Sequence, residues 1–188
     1  MAAKGKSMFK TLCCAATAML ALPTVARAAE SGATRIPQAV VAVSGCWGGR
    51  GEVMGKPVTV TIDAKPIVQN AMMALDAESI AIADRSDRYS AHLIFGGAGD
   101  RSGSSTGGIV GFWADSFGGA FTASGRGESR PDGFDVTYQY TDDAFINRWR
   151  LTGDRLSWQI VARDAKGIEK PFASYSLRKI ACLRNPRP

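Results

Sequence analysis

The chain reads as a single all-β domain, an antiparallel up-and-down barrel of about eight to ten strands with little helix. Three observations predict this. Alternating apolar and polar residues recur from Val40 to Cys182, as expected of strands with one buried face. Turn residues interrupt them about every dozen positions, the rhythm of a meander. Cys46 lies in the first of these runs and Cys182 closes the last, so a bridge between them would bring the first strand to the last. A meander of this length hides one face only by rolling up or by packing on a second sheet, and rolling up also removes exposed edges.

The first 28 residues read as an address. Lys4, Lys6 and Lys10 precede an apolar stretch from Thr11 to Ala26 that Pro23 interrupts, and Ala26-Arg27-Ala28 offers a small-x-small cleavage site. This is the layout of a secretory signal peptide, and the stretch is short of the roughly 20 apolar residues of a membrane-spanning helix. Cys13 and Cys14 come too early to be lipid attachment sites. A periplasmic or secreted protein is expected, with cleavage near Ala28, a flexible leader over 29–39, a barrel over 40–184 and a tail over 185–188.

Cleavage would remove Lys4, Lys6, Lys10 and Arg27 and no acid, so most of the formal charge of +6 belongs to the leader. Beyond it the signs alternate, as in Asp84-Arg85-Ser86-Asp87-Arg88. A nucleic-acid binder should instead keep clustered basic charge in its folded part, so nucleic acid is not an expected partner.

The strands follow in order. Val58, Val60 and Ile62 alternate with Thr59, Thr61 and Asp63. Ala71 to Ile82 is apolar but broken by Asp76 and Glu78. Tyr89, Ala91, Leu93 and Phe95 come next, then Ile109 to Ala114 and Ala120 to Ser124. Phe134, Val136, Tyr138 and Tyr140 form one set, Phe145, Asn147, Trp149 and Leu151 another, and Leu156, Trp158, Ile160 and Ala162 a third. Phe172 to Cys182 ends the series. Asp132-Gly133, Thr141-Asp142-Asp143, Gly153-Asp154 and Lys166-Gly167 suit tight reversals. Pro66 to Ala77 could form a helical turn or two at a barrel mouth. Gly96 to Gly108 reads as a flexible hairpin loop, and lacks the glycine spacing and following helix of a phosphate-binding loop.

Export would place Cys46 and Cys182 where a disulfide persists. The long loop so closed is worth about 4 to 5 kcal/mol in the chain-entropy model. Two cysteines and a single histidine, His92, make no Cys-x-x-Cys or His-x-x-x-His set, so no metal site is expected.

Gly45-x-Trp47 at the start of a β-meander resembles the calycin superfamily, the lipocalins and their relatives. The longer Gly45-x-Trp47-x-Gly49-x-Gly51 is similar to the opening of nitrobindin-type barrels. The resemblance implies a lipocalin-like barrel in which Trp47 packs across the closed end. It further implies that a late arginine covers the indole, and Arg178 in Tyr175-Ser176-Leu177-Arg178 matches that arginine. An arginine so placed would contribute about 0.5 to 2 kcal/mol as a cation–π contact. Nitrobindin-type barrels hold haem through a histidine in their C-terminal part. No histidine follows His92 here, so haem is not expected, and nothing marks Tyr138, Tyr140 or Tyr175 as a replacement ligand.

Strict alternation would place Tyr138, Tyr140, Asn147, Trp149 and Trp158 on the inner face and Arg148 and Arg150 outside. Buried phenols and indoles seek hydrogen-bond partners, and Asn147 offers both donor and acceptor. These residues either line a pocket or fill a narrow core. Trp113-Ala114-Asp115-Ser116-Phe117-Gly118-Gly119 falls at a strand end beside a mouth, where Asp115 would contact a ligand or cap the turn.

Two functions are compatible with this chain. One is a binder of a small hydrophobic or aromatic molecule, using Trp113, Tyr138, Tyr140, Asn147, Trp149 and Trp158. The other is a cofactor-free lyase, decarboxylase or isomerase using Tyr138, Tyr140, Asp115 and Arg148 as acid–base groups, an expectation that rests on fold analogy. A structural envelope protein with a filled core is the third. Classical hydrolysis is not expected: the one Gly-x-Ser-x-Gly spacing, Gly103 to Gly107, lies in the glycine- and serine-rich stretch and no helix pattern follows it.

Overall fold

The computed structural model describes Met1 and residues 34–99 and 105–182. Apart from Met1, the expected signal peptide and the tail over 185–188 lie outside the described residues. The chain begins its fold with one helical turn, α1 (Gln38–Val41), and continues through β1 (Gly45–Val53), β2 (Lys56–Ile67), β3 (Met72–Ala81), β4 (Arg88–Gly99) and β5 (Ser105–Asp115). A 3-10 turn at Gly119–Phe121 precedes β6 (Ala123–Arg130), β7 (Gly133–Gln139), β8 (Asp143–Thr152), β9 (Arg155–Asp164) and β10 (Glu169–Ile180). Each strand pairs antiparallel with the next, and β10 returns to β1, closing the barrel. The seam runs in unbroken register from Cys46 opposite Ile180 to Val53 opposite Ala173.

Alternation decides which side chains go inside. Val58, Val60, Ile62 and Ala64 of β2 are buried, while Thr59 and Thr61 face out. In β3 Met73, Leu75 and Ala77 are buried. Asp76 and Glu78 lie between and beyond them, on the outer face, so they mark the face of a strand and not a break in it.

Pro66 to Ala77 forms the end of β2, a reversal and the start of β3, where helical turns are expected from the sequence. The reversal runs through Val68, Gln69 and Asn70, whose φ angles of 50°, 56° and 66° are all left-handed. That conformation is costly for non-glycine residues, and most of all for β-branched valine. Likewise β4 runs on to Gly99 and β5 starts at Ser105, so much of the glycine-rich stretch is strand.

One end of the barrel is sealed. Val40 and Val43 are buried, and the Trp47 indole donates to the Val43 carbonyl at 2.8 Å. Pro37 is buried too, so packing begins before the Val40 boundary. Beside this plug, Cys46 and Cys182 are bonded, their Cα atoms 5.1 Å apart. The cation over Trp47 is Lys179, its Nζ 5.4 Å from the ring centroid, and not Arg178. The register explains the correction: Lys179 lies opposite Trp47 and Arg178 opposite Gly48. Arg178 therefore leaves on the other face, where it meets Asp154 at 3.6 Å.

Candidate functional site

Above the plug the interior is filled by stacked rings. Phe134 and Trp149 lie 5.8 Å apart with planes 12° from parallel. Trp149 and Trp158 follow at 4.4 Å and 11°, then Trp158 and Tyr175 at 4.7 Å and 30°. Phe95 meets Phe134 edge-on. These residues come from β4, β7, β8, β9 and β10, and neighbouring strands bring them together: Phe134 faces Trp149, Trp149 faces Trp158, and Trp158 faces Tyr175 across successive pairs.

The other half of the barrel is open. A cavity of about 760 Å³ lies there, within the range of small-molecule sites, and its walls are mainly apolar. Trp113, Tyr138, Asn147, Ile160 and Tyr175 line it along the barrel wall, and Tyr89, Tyr140, Phe145 and Phe172 stand nearer the strand ends at the mouth. Exposed apolar side chains ring the entrance: Met54, Ile82, Phe117, Phe121 and Ile168. They come from the β1–β2, β3–β4, β5–β6 and β9–β10 connections, all at one end of the barrel.

The expected site residues divide. Trp113, Asp115, Tyr138, Tyr140 and Asn147 all line the cavity. Trp158 lies behind that wall and holds Asn147, its indole donating to the amide oxygen Oδ1 at 2.8 Å. Trp149 is wholly buried within the ring stack and does not line the cavity. Arg148 is on the outer face, 2.7 Å from Glu169, so strand alternation removes it from any acid–base set inside. His92 is also outside, hydrogen-bonded through Nδ1 to Asp76 at 2.5 Å. The cavity therefore offers haem no imidazole, and its donors to a metal would be phenols or carboxylates.

Asp115 organises the mouth. Its Oδ2 accepts from the Trp113 indole at 2.9 Å and from the Tyr89 hydroxyl at 3.1 Å. Its Oδ1 accepts the Phe117 backbone N–H at 2.9 Å, so it caps the turn as well. Cys46, Cys182 and Asp63 cluster at the sealed end, but the disulfide occupies both sulfurs.

Two residues that sequence reading left out matter here. Tyr89 and Tyr175 line the cavity, and with Tyr138 and Tyr140 they are all four tyrosines of the chain. Burial pushes the Tyr175 phenol up to about 12. It pushes the Tyr138 phenol further up, with Tyr140 adding to the effect. Burial also raises Tyr89, reinforced by the charge of Asp115. All three stay neutral near pH 7 and so keep a hydroxyl proton to donate.

Closed ten-strand barrels of this kind are found among solved structures. Rv2717c from M. tuberculosis superposes with a TM-score of 0.58 at 16% identity, over 76% of this chain and 96% of that one. The S-type phycobiliprotein lyase CPES from Guillardia theta gives 0.51 at 15% identity, over 81% and 97%. The likeness is one of fold. No protein-family model matches the chain, and no curated protein matches it. Both neighbours are barrels of the lipocalin-like kind, in agreement with the architecture implied by Gly45-x-Trp47.

Proposed function

We propose that this protein is an exported barrel that binds a small hydrophobic or aromatic molecule in the cavity above Trp113 and Tyr138. The observation that carries the reading is the division of the interior: one half is packed with rings, while the other keeps about 760 Å³ open behind an apolar entrance. A structural barrel would gain stability by filling that space. The Cys46–Cys182 disulfide supports an extracellular or periplasmic location. Among the described residues no helix is long and apolar enough to cross a membrane.

A cofactor-free lyase is the second reading. One solved barrel of this shape is a phycobiliprotein lyase, and Tyr138 and Tyr140 line the cavity here. Against it, Arg148 points outward and both Asp115 oxygens are engaged in the wall.

Titration with N-phenyl-1-naphthylamine, a neutral probe that brightens in apolar surroundings, tests binding. Saturable one-to-one enhancement is expected, and Val58→Trp, which fills the cavity from β2, should abolish it. Absence of saturable binding to the folded wild-type protein would overturn the proposal.

A further inference from the structure

The cavity is built from donors inside and acceptors at its rim. Of its four tyrosines, two have their hydroxyls engaged: Tyr89 donates to Asp115 and Tyr140 to the Phe121 carbonyl at 2.9 Å. The other two do not. Tyr138 is 1% exposed, and its hydroxyl has no hydrogen-bond partner. Tyr175 is 6% exposed and donates to no protein group among the described residues. Asn147 is 1% exposed. Its Oδ1 is taken by Trp158, which fixes the amide orientation and leaves the NH₂ group without a protein acceptor among the described residues.

These three groups are neighbours. Trp113 contacts both Tyr138 and Trp158, with ring centroids at 5.5 and 6.1 Å. Trp158 in turn carries Asn147 on its N–H and Tyr175 on its face. Buried polar groups are normally satisfied, and an orphaned donor destabilises the fold. The Tyr138 hydroxyl is buried without a partner, and Tyr175 and Asn147 line the cavity with donors that no protein group among the described residues takes; together they point to an acceptor that the protein itself does not supply.

Charge narrows the class. Lys56 is the one cation among the described lining residues, and it is paired with Asp87 at 3.1 Å. Asp115, Asp142 and Asp143 also line the cavity. A carboxylate or phosphate ligand would pass these acids and find no free positive charge, an unfavourable burial. The stack from Phe134 to Tyr175 ends at a residue of the cavity wall, and it favours a flat partner that continues the ring packing.

We infer that the ligand is a neutral, flat aromatic molecule bearing a carbonyl oxygen, which enters first and accepts hydrogen bonds from Tyr138, Tyr175 and Asn147. The inference rests on the binding function proposed above and specifies its ligand class.

The test compares three probes of one size: 2-acetylnaphthalene, 2-ethylnaphthalene and 2-naphthoate. Binding is measured by calorimetry to wild-type protein and to Tyr138→Phe, Tyr175→Phe and the double variant. Phenylalanine keeps both rings in place, and neither hydroxyl has a protein bond to lose, so the fold should be retained. The double variant is expected to weaken the ketone about tenfold and leave the hydrocarbon unchanged. The ketone's infrared C=O stretch should fall on binding to wild type and recover in the double variant. The naphthoate should bind weakest. Equal effects on ketone and hydrocarbon, an unshifted C=O stretch or a tighter naphthoate would each overturn the inference while leaving the cavity a binding site. Failure of both neutral probes to bind wild type would sink the binding function along with it.

Discussion

Tyr138 lies across Gly125, its partner on the neighbouring strand. A Cβ at Gly125 would sit 2.8 Å from both Cδ1 and Cε1 of the phenol ring. The same Tyr138 reaches over Gly111, where a Cβ would come 2.8 Å from its hydroxyl. Gly51 stands in this relation to Tyr175: the two are opposite each other, and a Cβ would lie 2.5 Å from ring atom Cδ1. The glycines are gaps that let tyrosines lie flat along the inner wall.

Gly125→Ala should therefore destabilise the protein by about 1 to 3 kcal/mol, the usual cost of overpacking a filled interior, despite the strand preference for alanine over glycine. Combining it with Tyr138→Ala, which empties the seat, should return less than the sum of the two losses. Urea unfolding of the four proteins of this cycle checks it. Strict additivity would show that the ring and the gap are independent.

Asp115→Ala removes the acceptor shared by Trp113, Tyr89 and the Phe117 N–H. A loss of about 2 kcal/mol is expected from partly buried donors left unpaired. Asp115→Asn, which keeps one acceptor oxygen, should lose less. Thermal unfolding read by tryptophan fluorescence measures both. If the two variants matched wild type, the aspartate would not be organising the mouth.

Alkaline pH should destabilise the barrel. The Tyr175 phenol is raised by burial to about 12, against about 10 in an unfolded chain. Its contribution is fully present below pH 10 and is lost as pH rises toward 12, because the unfolded state releases the proton first. Tyr138, raised further, extends the loss in the same direction. Each such tyrosine contributes a slope of about 1.4 kcal/mol per pH unit in that window. Urea midpoints at pH 8, 10 and 11 should fall, and Tyr175→Phe should flatten the fall. A midpoint independent of pH up to 11 contradicts this.

Replacing both Cys46 and Cys182 by serine opens a loop whose ends are 136 positions apart. The chain-entropy model sets the loss at about 5 kcal/mol. The β1–β10 ladder beside the bridge should still hold the seam, so the variant should fold and keep its cavity with a lower urea midpoint. Alkylation of the wild-type protein without reductant should label neither cysteine.

Much of the fold was legible because it depends on local order. Val58-Thr59-Val60-Thr61-Ile62 alternates, the turns carry Asp-Gly and Gly-Asp pairs, and period-two patterning sorts side chains without knowledge of their neighbours. The reversal within Pro66 to Ala77 was not legible because two of its three left-handed residues, Val68 and Gln69, normally avoid that conformation. The site was only partly legible. Alternation shows that Tyr138, Tyr140, Asn147, Trp149 and Trp158 face inward, but it cannot show height along the barrel axis. That height separates Trp149, in the stack, from Tyr138, at the cavity. Arg178 and Lys179 differ by one position, and register alone decides which of them faces Trp47.

The sequence by itself determined an antiparallel β-meander whose first and last strands meet, with aromatic residues on its inner face, since both follow from residue order and spacing. Tertiary structure decided what that inner face encloses. Trp47, Gly49 and Gly51 share the inward face of β1 at a spacing of two. The tryptophan joins the plug, while Gly51 leaves the space in which Tyr175 lies. One motif thus seals one end of the barrel and shapes the cavity at the other, because closing the sheet brings β10 against it, a contact between residues more than a hundred positions apart.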